Sequence, residues 1–175
     1  MECILKIEKN CWNRLDEYFS SIVLLHGKVL YVSDENIDHL FGHRIKPILK
    51  KYANLKEQFV DNNTIEYAMD IAERVIATDI QFIVGLGGGK VLDICKYAAY
   101  VSKTKFISIP TIVSNDGIAS PIAVLKRQDG KPKSLGCAIP YALFVDLEVI
   151  MKSPIKYIKA GIGDTLSNYT ALYDW

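Results

Sequence analysis

The chain alternates between short β-branched or aromatic runs and longer segments in which apolar residues recur every three or four positions. The short runs predict buried strands, and the longer segments predict helices with one apolar face. Strands that alternate with helices pair in parallel through crossover connections. The pattern therefore predicts an α/β fold with a parallel sheet and flanking helices. The predicted strands are Val29–Ser33, Phe82–Val84, Phe106–Pro110 and Ala142–Asp146.

Three segments have apolar residues at helical spacing: Ile37–Leu49, Ile65–Ile76 and Val91–Ala99. Pro47 lies inside the first of them and predicts a break or kink, because proline has no amide hydrogen to donate. Thr64 precedes the second and is a candidate N-cap, since a threonine hydroxyl can accept a hydrogen bond from the first turn of a helix.

The later part of the chain contains a polar loop and a predicted boundary between two units. The polar segment Lys126–Lys133 contains an Asp-Gly pair and predicts a hairpin turn or an exposed loop. Ser153-Pro154 predicts a helix start, and the helical pattern after it is interrupted at Gly161–Gly163. We therefore expect one unit at 1–150 and the first helical segment of a second unit at 151–175, from a protein that continues further.

Composition describes a globular protein of one domain, or of one domain and a piece of another. The chain has 175 residues, of which 50% are hydrophobic and 23% charged. A net charge of +1 gives no strong field for nucleic acid or for an anionic membrane. No apolar run approaches the ~18 residues of a membrane span. Four cysteines far apart in sequence, without a C-x-x-C pair, favour free thiols and a cytoplasmic location: Cys3, Cys11, Cys95 and Cys137.

A glycine cluster lies between a predicted strand and a predicted helix, at Gly85–Lys90. Three consecutive glycines supply no side chain for packing, but they let backbone N–H groups approach an anion at a helix N-terminus. The sequence does not match a P-loop, because Val91 follows Lys90 where Ser or Thr is needed and the glycine spacing differs. It does not match the G-x-G-x-x-G fingerprint either, because Lys90 stands where the last glycine is needed. We interpret it as another kind of phosphate loop, with Lys90 to neutralise charge and Asp93 one turn into the helix. The alternative is a tight turn with glycines for geometry alone.

A second candidate segment, Pro110–Pro121, follows the next strand and so lies at the same edge of the sheet. Its short hydroxyl side chains suit a diphosphate or an amide: Thr111, Ser114 and Ser120. Asp116 adds a carboxylate. The alternative is a polar connecting loop, which composition alone narrowly favours.

Two other aspartates each allow two interpretations. Asp164 follows a glycine at a predicted helix start, so it is either an N-cap, which the pattern favours, or an oxygen ligand for a divalent metal. Asp34 ends the first predicted strand and is either a cap or an acceptor for a ribose hydroxyl. His26, His39 and His43 lie in the first quarter of the chain. Without a H-E-x-x-H motif, solvated helix positions are the better interpretation for the last two.

Three motifs in order carry a resemblance to a known family. They are Gly85–Asp93 (G-x-G-G-G-K-x-x-D), Pro110–Asp116 and Gly161–Asp164. In this order and spacing they resemble the superfamily of iron-containing alcohol dehydrogenases and dehydroquinate synthases. The segments Asp116–Pro121, Gly163–Asn168 and Asp174-Trp175 are most similar to the sn-glycerol-1-phosphate dehydrogenases, with the glycerol dehydrogenases as near relatives.

The resemblance implies a Rossmann-like N-terminal domain that binds NAD or NADP, followed by an all-helical domain. It also implies a small polyol or polyol phosphate as substrate and a homo-oligomer. A divalent metal, commonly zinc, would be held by Asp164 and by two histidines beyond this chain. Residues 1–175 would then not be a working enzyme by themselves. The alternatives are a glycerol dehydrogenase and, if the chain is complete, a non-catalytic nucleotide-binding module.

The resemblance also assigns roles to the candidate residues. The pyrophosphate is expected at Gly87, Gly88, Gly89, Lys90 and Val91. Asp93 is expected to order this loop. The nicotinamide side is expected at Thr111, Ser114 and Ser120. Asp116 would contact the substrate, Asp164 the metal and through it the substrate, and Asp34 the adenosine end.

Overall fold

A computed structural model describes residues 3–22 and 27–173. His26 and the Asp174-Trp175 pair lie outside the described residues. Within the described part of the chain, eight strands form a sheet of six and a separate hairpin of two. The strands are β1 (Ile4–Glu8), β2 (Lys28–Ser33), β3 (Asn54–Phe59), β4 (Ile80–Gly87), β5 (Lys105–Pro110), β6 (Ile122–Lys126), β7 (Pro132–Gly136) and β8 (Ala142–Asp146).

The large sheet is parallel throughout and has the order β1-β8-β5-β4-β2-β3. The four predicted strands correspond to β2, β4, β5 and β8, which confirms the predicted α/β class. The two edge strands, β1 and β3, were not predicted. Both are largely exposed and carry charged side chains, as edge strands commonly do, so they lack the continuous apolar run of a buried parallel strand.

Helices cover both faces of the sheet. They are α1 (Leu15–Ser21), α2 (Glu35–Ile37), α3 (His43–Tyr52), α4 (Ile65–Ala77), α5 (Gly89–Ser102), α6 (Leu147–Lys152) and α7 (Ile155–Ala171). The side chains of α1 and α3 pack in one apolar cluster, and those of α4 and α5 pack in a second. Leu30 and Tyr31, consecutive in β2, belong to opposite clusters because side chains alternate along a strand. Fully burying such a side chain stabilises the fold by ~1.5–3 kcal/mol.

The connections predict a ligand crevice next to β2, where the strand order reverses. From β2 the chain passes to β3 at the edge and returns to β4 on the other side of β2. In parallel α/β sheets, ligands bind outside the carboxyl ends of strands where the order reverses in this way. The Ser33 hydroxyl donates a hydrogen bond to the Leu86 carbonyl at 2.8 Å, which ties these two strands together at that end.

Two predicted helix breaks are wrong. Helix α3 continues through Pro47, and the irregularity is a π-helical turn at Asp38–Gly42, directly before α3. Helix α7 continues through Gly161–Gly163. A Cβ at Gly161 would lie 2.5 Å from the Val113 carbonyl oxygen. This glycine therefore lets the helix pass close to a neighbouring backbone, and it does not end the helix.

Other local predictions are confirmed. The Thr64 hydroxyl caps α4 by accepting from the Tyr67 amide at 3.3 Å. The polar segment at 126–133 forms the turn of the β6–β7 hairpin, and α7 begins one residue after Pro154. His39 and His43 are exposed, and all four cysteines are free. Within the described residues, we find no helix with both the length and the apolar character needed to cross a bilayer.

Candidate active site

The glycine loop joins β4 to α5 at the crevice beside β2. β4 ends at Gly87, Gly88 occupies the N-cap position, and α5 begins at Gly89 without a side-chain hydrogen bond to its first turn. The first amides of a helix lack partners within the helix and carry its positive dipole end. Such a terminus at the carboxyl edge of a parallel sheet can hold an anion.

The three glycines of this loop have different neighbours. A Cβ at Gly87 would lie 2.9 Å from the Val91 Cβ, and one at Gly88 would lie 2.8 Å from the Ile112 Cδ1. Close packing therefore does explain Gly87, contrary to the expectation from the sequence, whereas the contact at Gly88 is with the end of a flexible isoleucine side chain. A Cβ at Gly89 would meet no atom of the other described residues within 4 Å, so packing does not require glycine there. Gly89 is the position with room for a ligand.

Lys90 and Asp93 contact neighbouring segments. The Lys90 ammonium donates to the carbonyl of Asp61, in the segment after β3. The Asp93 carboxylate accepts from the Val124 amide at 3.2 Å and from the Lys96 ammonium at 3.4 Å. Burial raises the pKa of the Asp93 carboxyl, and the Lys96 charge opposes that rise. In this structure Asp93 fixes β6, and its hydrogen bonds do not reach the glycine loop.

Thr111 lies directly beside the glycine loop. Its amide donates to the Gly87 carbonyl at 3.0 Å. The residue is only 3% exposed, and its hydroxyl has no hydrogen-bond partner among the described residues. A buried polar group without a partner costs ~1–3 kcal/mol. The residue after β5 therefore carries a buried hydroxyl that has no partner in the described part of the chain.

The segment after β5 meets α7 at Asp116 and Asp164. The Asp116 amide donates to Oδ2 of Asp164 at 3.1 Å, and the Ser120 amide donates to the Asp116 carbonyl at 3.0 Å. Asp164 lies in the middle of α7, so its interpretation as an N-cap was wrong. The structure thus brings together Asp116, Ser120 and Asp164. Ser114, which lies between Thr111 and Asp116 in the sequence, is half-buried.

Asp34 caps the helix that follows β2. Its Oδ1 accepts from the Ile37 amide at 2.9 Å, which confirms the capping interpretation. Because Asp34 follows directly after β2, it also lies at the carboxyl edge of the sheet, beside the crevice. Contact with a ribose stays a prediction.

Lys96 is a functional candidate that the sequence analysis missed. It lies on α5 one turn after Asp93 and is 1% exposed. The sequence could have indicated that Lys96 is buried, because it lies four residues after Leu92 and three before Ala99, on the apolar face of the helix. A charged residue on an apolar helix face is rarely buried without partners.

The residues present fit a dinucleotide better than a metal. The open position at Gly89 and the uncapped start of α5 could hold a diphosphate, and the Thr111 amide donates to the same loop. For a metal, by contrast, the described residues contain no cluster of three or more His, Cys, Asp or Glu side chains that could hold an ion. Zinc sites use ~3–4 protein ligands, so Asp164 by itself does not form one.

A family model described as iron-containing alcohol dehydrogenase matches residues 6–154. The chain belongs to this family. The match spans the whole sheet except the first residues of β1, together with the glycine loop, and it confirms the resemblance inferred from the three motifs.

Among similar proteins, a glycerol-1-phosphate dehydrogenase [NAD(P)+] of Hyperthermus butylicus is 37% identical over 150 residues, which is 86% of this chain and 43% of that protein. The enzyme of the same name from Aeropyrum pernix is 35% identical over 159 residues, 90% of this chain and 45% of that protein. This member of the iron-containing alcohol dehydrogenase family therefore spans less than half the length of these relatives.

Solved structures share the fold. A glycerol dehydrogenase from Schizosaccharomyces pombe has a TM-score of 0.79 at 22% identity, covering 96% of this chain and 43% of that one. A probable glycerol dehydrogenase from Sinorhizobium meliloti 1021 has a TM-score of 0.79 at 24% identity, covering 96% of this chain and 46% of that one. At these identities the likeness supports the Rossmann-like fold and carries no further conclusion about substrate.

Proposed function

We propose that this chain is the nucleotide-binding part of an NAD(P)-dependent dehydrogenase that interconverts dihydroxyacetone phosphate and sn-glycerol 1-phosphate. The observation that supports nucleotide binding is the start of α5: an uncapped helix N-terminus at the switch point of the sheet, with open space at Gly89. The substrate is proposed from the names of the relatives that are 35–37% identical.

In this proposal the diphosphate lies on the loop from Gly87 to Val91. The first amides of α5 donate to its oxygens, and the positive end of the helix dipole stabilises its charge. NAD(P) supplies the hydride acceptor or donor. The buried Thr111 hydroxyl gains a polar partner when the cofactor is bound, and Asp34, beside the same crevice, orients the adenosine end through its free carboxylate oxygen.

The polyol end of the site is proposed at the meeting of Asp116, Ser120 and Asp164. Asp116 contacts the substrate, while Ser114 and Ser120 line the nicotinamide side. We further propose that Asp164 supplies one carboxylate oxygen to a divalent metal, zinc by family resemblance, whose remaining ligands lie outside this chain. Residues 1–150 then form the nucleotide-binding domain and 151–175 the first helical segment of the next. A homo-oligomer stays a prediction.

The test is turnover by the protein as its gene encodes it. Oxidation of NADH and of NADPH is followed with dihydroxyacetone phosphate and, separately, with dihydroxyacetone. We expect turnover with the phosphorylated ketone. Turnover with dihydroxyacetone alone would assign a glycerol dehydrogenase, and nucleotide binding without turnover of either ketone would leave a non-catalytic module.

A further inference from the structure

The ammonium of Lys96 is buried within the described part of the fold and has three oxygen partners. Its Nζ donates to the Gly117 carbonyl at 2.6 Å and to the Ile122 carbonyl at 2.7 Å. The third contact is the Asp93 carboxylate at 3.4 Å. An ammonium has three hydrogens to donate, so all of them have an acceptor. Burying such a charge is expensive unless it is paired and hydrogen-bonded, and here it is both.

Two of these partners bracket a single stretch of chain, Gly117–Ile122. This stretch begins inside the one-turn 3-10 helix at Asp116–Ile118 and ends at the first residue of β6. Other hydrogen bonds also hold this stretch. The Ala119 and Ser120 amides donate to the Asp116 carbonyl, the Ser108 hydroxyl donates to the Ile118 carbonyl at 3.2 Å, and the Cys137 amide donates to the Pro121 carbonyl at 2.7 Å. Lys96 therefore joins both ends of the stretch to α5, and Asp93 adds a third attachment through the Val124 amide.

The same helix begins at the glycine loop. Lys96 lies seven residues after Gly89, which at 1.5 Å per residue places it about 10 Å along α5 from the proposed diphosphate. It is too far along the helix to contact the diphosphate. Its hydrogen bonds reach instead the segment that carries Asp116 and Ser120, and this segment contacts Asp164 of α7.

We propose that Lys96 is a positioning residue: it holds the Gly117–Ile122 segment against α5 so that the Asp116 amide meets Asp164, and thereby sets the polyol end of the site. The effect of Lys96 on catalysis rests on the proposed function, whereas its role in holding the segment rests on the hydrogen bonds alone. Loss of the ammonium should release the segment and leave the start of α5 in place.

The test compares Lys96→Met with Lys96→Arg and with a control, Lys126→Met, in the protein as its gene encodes it. Lys126 is an exposed lysine of β6, so its loss leaves the three contacts of Lys96 intact. Amide hydrogen exchange is measured for a peptide covering 116–122 and for one covering β4. We expect exchange at 116–122 to accelerate by about ten-fold or more in Lys96→Met, with β4 unchanged, because local opening and global unfolding are separate events.

Kinetics give the second readout. In Lys96→Met we expect kcat/KM for the polyol substrate to fall by about ten-fold or more, while KM for the cofactor stays within about two-fold, since a residue that sets only the polyol end changes only that end. Lys96→Arg keeps the charge but cannot place one nitrogen on both carbonyls, so we expect a smaller loss of the same kind. If Lys96→Met does not fold, Lys96→Arg decides by the same two measurements.

The outcomes separate the two proposals. Unchanged exchange at 116–122 in a folded Lys96 variant would overturn the positioning role, as would equal losses for cofactor and polyol. A wild-type protein that turns over no polyol would instead contradict the proposed function. The comparison of hydrogen exchange between the wild type and the Lys96 variants would still decide whether Lys96 holds the segment.

Discussion

The carboxylate of Asp164 accepts a hydrogen bond from the backbone amide of Asp116, 3.1 Å away and 48 residues earlier in the chain. This bond joins the middle of α7 to the segment that follows β5. Three residues before Asp164, the α7 backbone at Gly161 passes so close to the Val113 carbonyl that a side chain would not fit. Close approach at Gly161 is therefore what allows Asp164 to reach Asp116.

This docking predicts opposite effects for two glycines of the same helix. Gly161→Ala places a Cβ 2.5 Å from the Val113 oxygen, and such overpacking typically costs ~1–3 kcal/mol. Gly163→Ala meets no atom within 4 Å and should gain ~0.5–1 kcal/mol, the helix-propensity difference between alanine and glycine. Urea unfolding of both variants measures the free energies. Equal stabilisation by the two alanines would show that α7 does not pack on Val113.

The same glycines show where sequence patterns were insufficient. Gly161–Gly163 was interpreted as a helix interruption because glycine lowers helix propensity. Whether a glycine ends a helix or allows close contact depends on a neighbour that is distant in sequence, in this case Val113. The interpretation of Asp164 as an N-cap is wrong for the same reason, because an N-cap residue stands at the start of a helix and Asp164 lies inside one.

The buried centre of the sheet was predictable and its edges were not. Apolar runs identified β2, β4, β5 and β8 because each is buried on both faces. The glycine loop and the hydroxyl-rich segment were placed at one sheet edge by the rule for parallel strands alone. The role of Lys96 could not be predicted, because its partners at Gly117 and Ile122 are backbone carbonyls, which no side-chain pattern reveals.

The glycine loop yields a test of nucleotide binding that does not disturb packing. Gly89→Asp enters open space at the first position of α5, where a negative charge favours the helix dipole by ~0.3–1 kcal/mol. The same charge repels a diphosphate. We expect stability equal to or above that of the wild type, and NADH and NADPH affinities reduced by about ten-fold or more, about 1.4 kcal/mol. Titration calorimetry and urea unfolding supply the two values.

Gly89→Ala is the matched control, since it adds a Cβ without charge and should weaken binding less than the aspartate does. Gly88→Val is a poor probe here, because its side chain would collide with Ile112 and lower stability as well as affinity. Full cofactor affinity in the Gly89→Asp variant would contradict diphosphate binding at the start of α5.

Cys95 predicts a specific loss of stability at alkaline pH. Burial, followed by the nearby Asp93 carboxylate, raises the pKa of this thiol above its ordinary value of 9.0. The unfolded chain therefore releases the proton at a lower pH than the folded chain does. The stabilising contribution is present in full below pH 9 and is lost as pH rises above it. At pH 10 the loss from one such thiol is on the order of 1 kcal/mol.

The measurement is the free energy of unfolding at pH 7 and at pH 10 for the wild type and for Cys95→Ala. The alanine variant is expected to be less stable at both values, because it leaves a small cavity. Its decrease between the two values should nevertheless be smaller by about 1 kcal/mol, since the titrating thiol is absent. Parallel decreases in the two proteins would mean that Cys95 titrates alike in the folded and unfolded chains.

Asp164→Asn separates the hydrogen bond of this residue from its charge. The asparagine amide oxygen can still accept from the Asp116 amide, so the contact between α7 and the segment after β5 should persist. The loss of the carboxylate should weaken a divalent metal directly, because hard cations prefer charged oxygen ligands. In the protein as its gene encodes it, we therefore expect the variant to lose bound metal and nearly all turnover, while the melting temperature of the metal-free protein hardly changes.

Asp116→Asn is the control: as a proposed substrate contact it should lower turnover and leave metal content intact. Metal analysis after dialysis, together with thermal unfolding, decides between the two roles, and an Asp164→Asn protein that keeps both its metal and its turnover would limit Asp164 to anchoring α7.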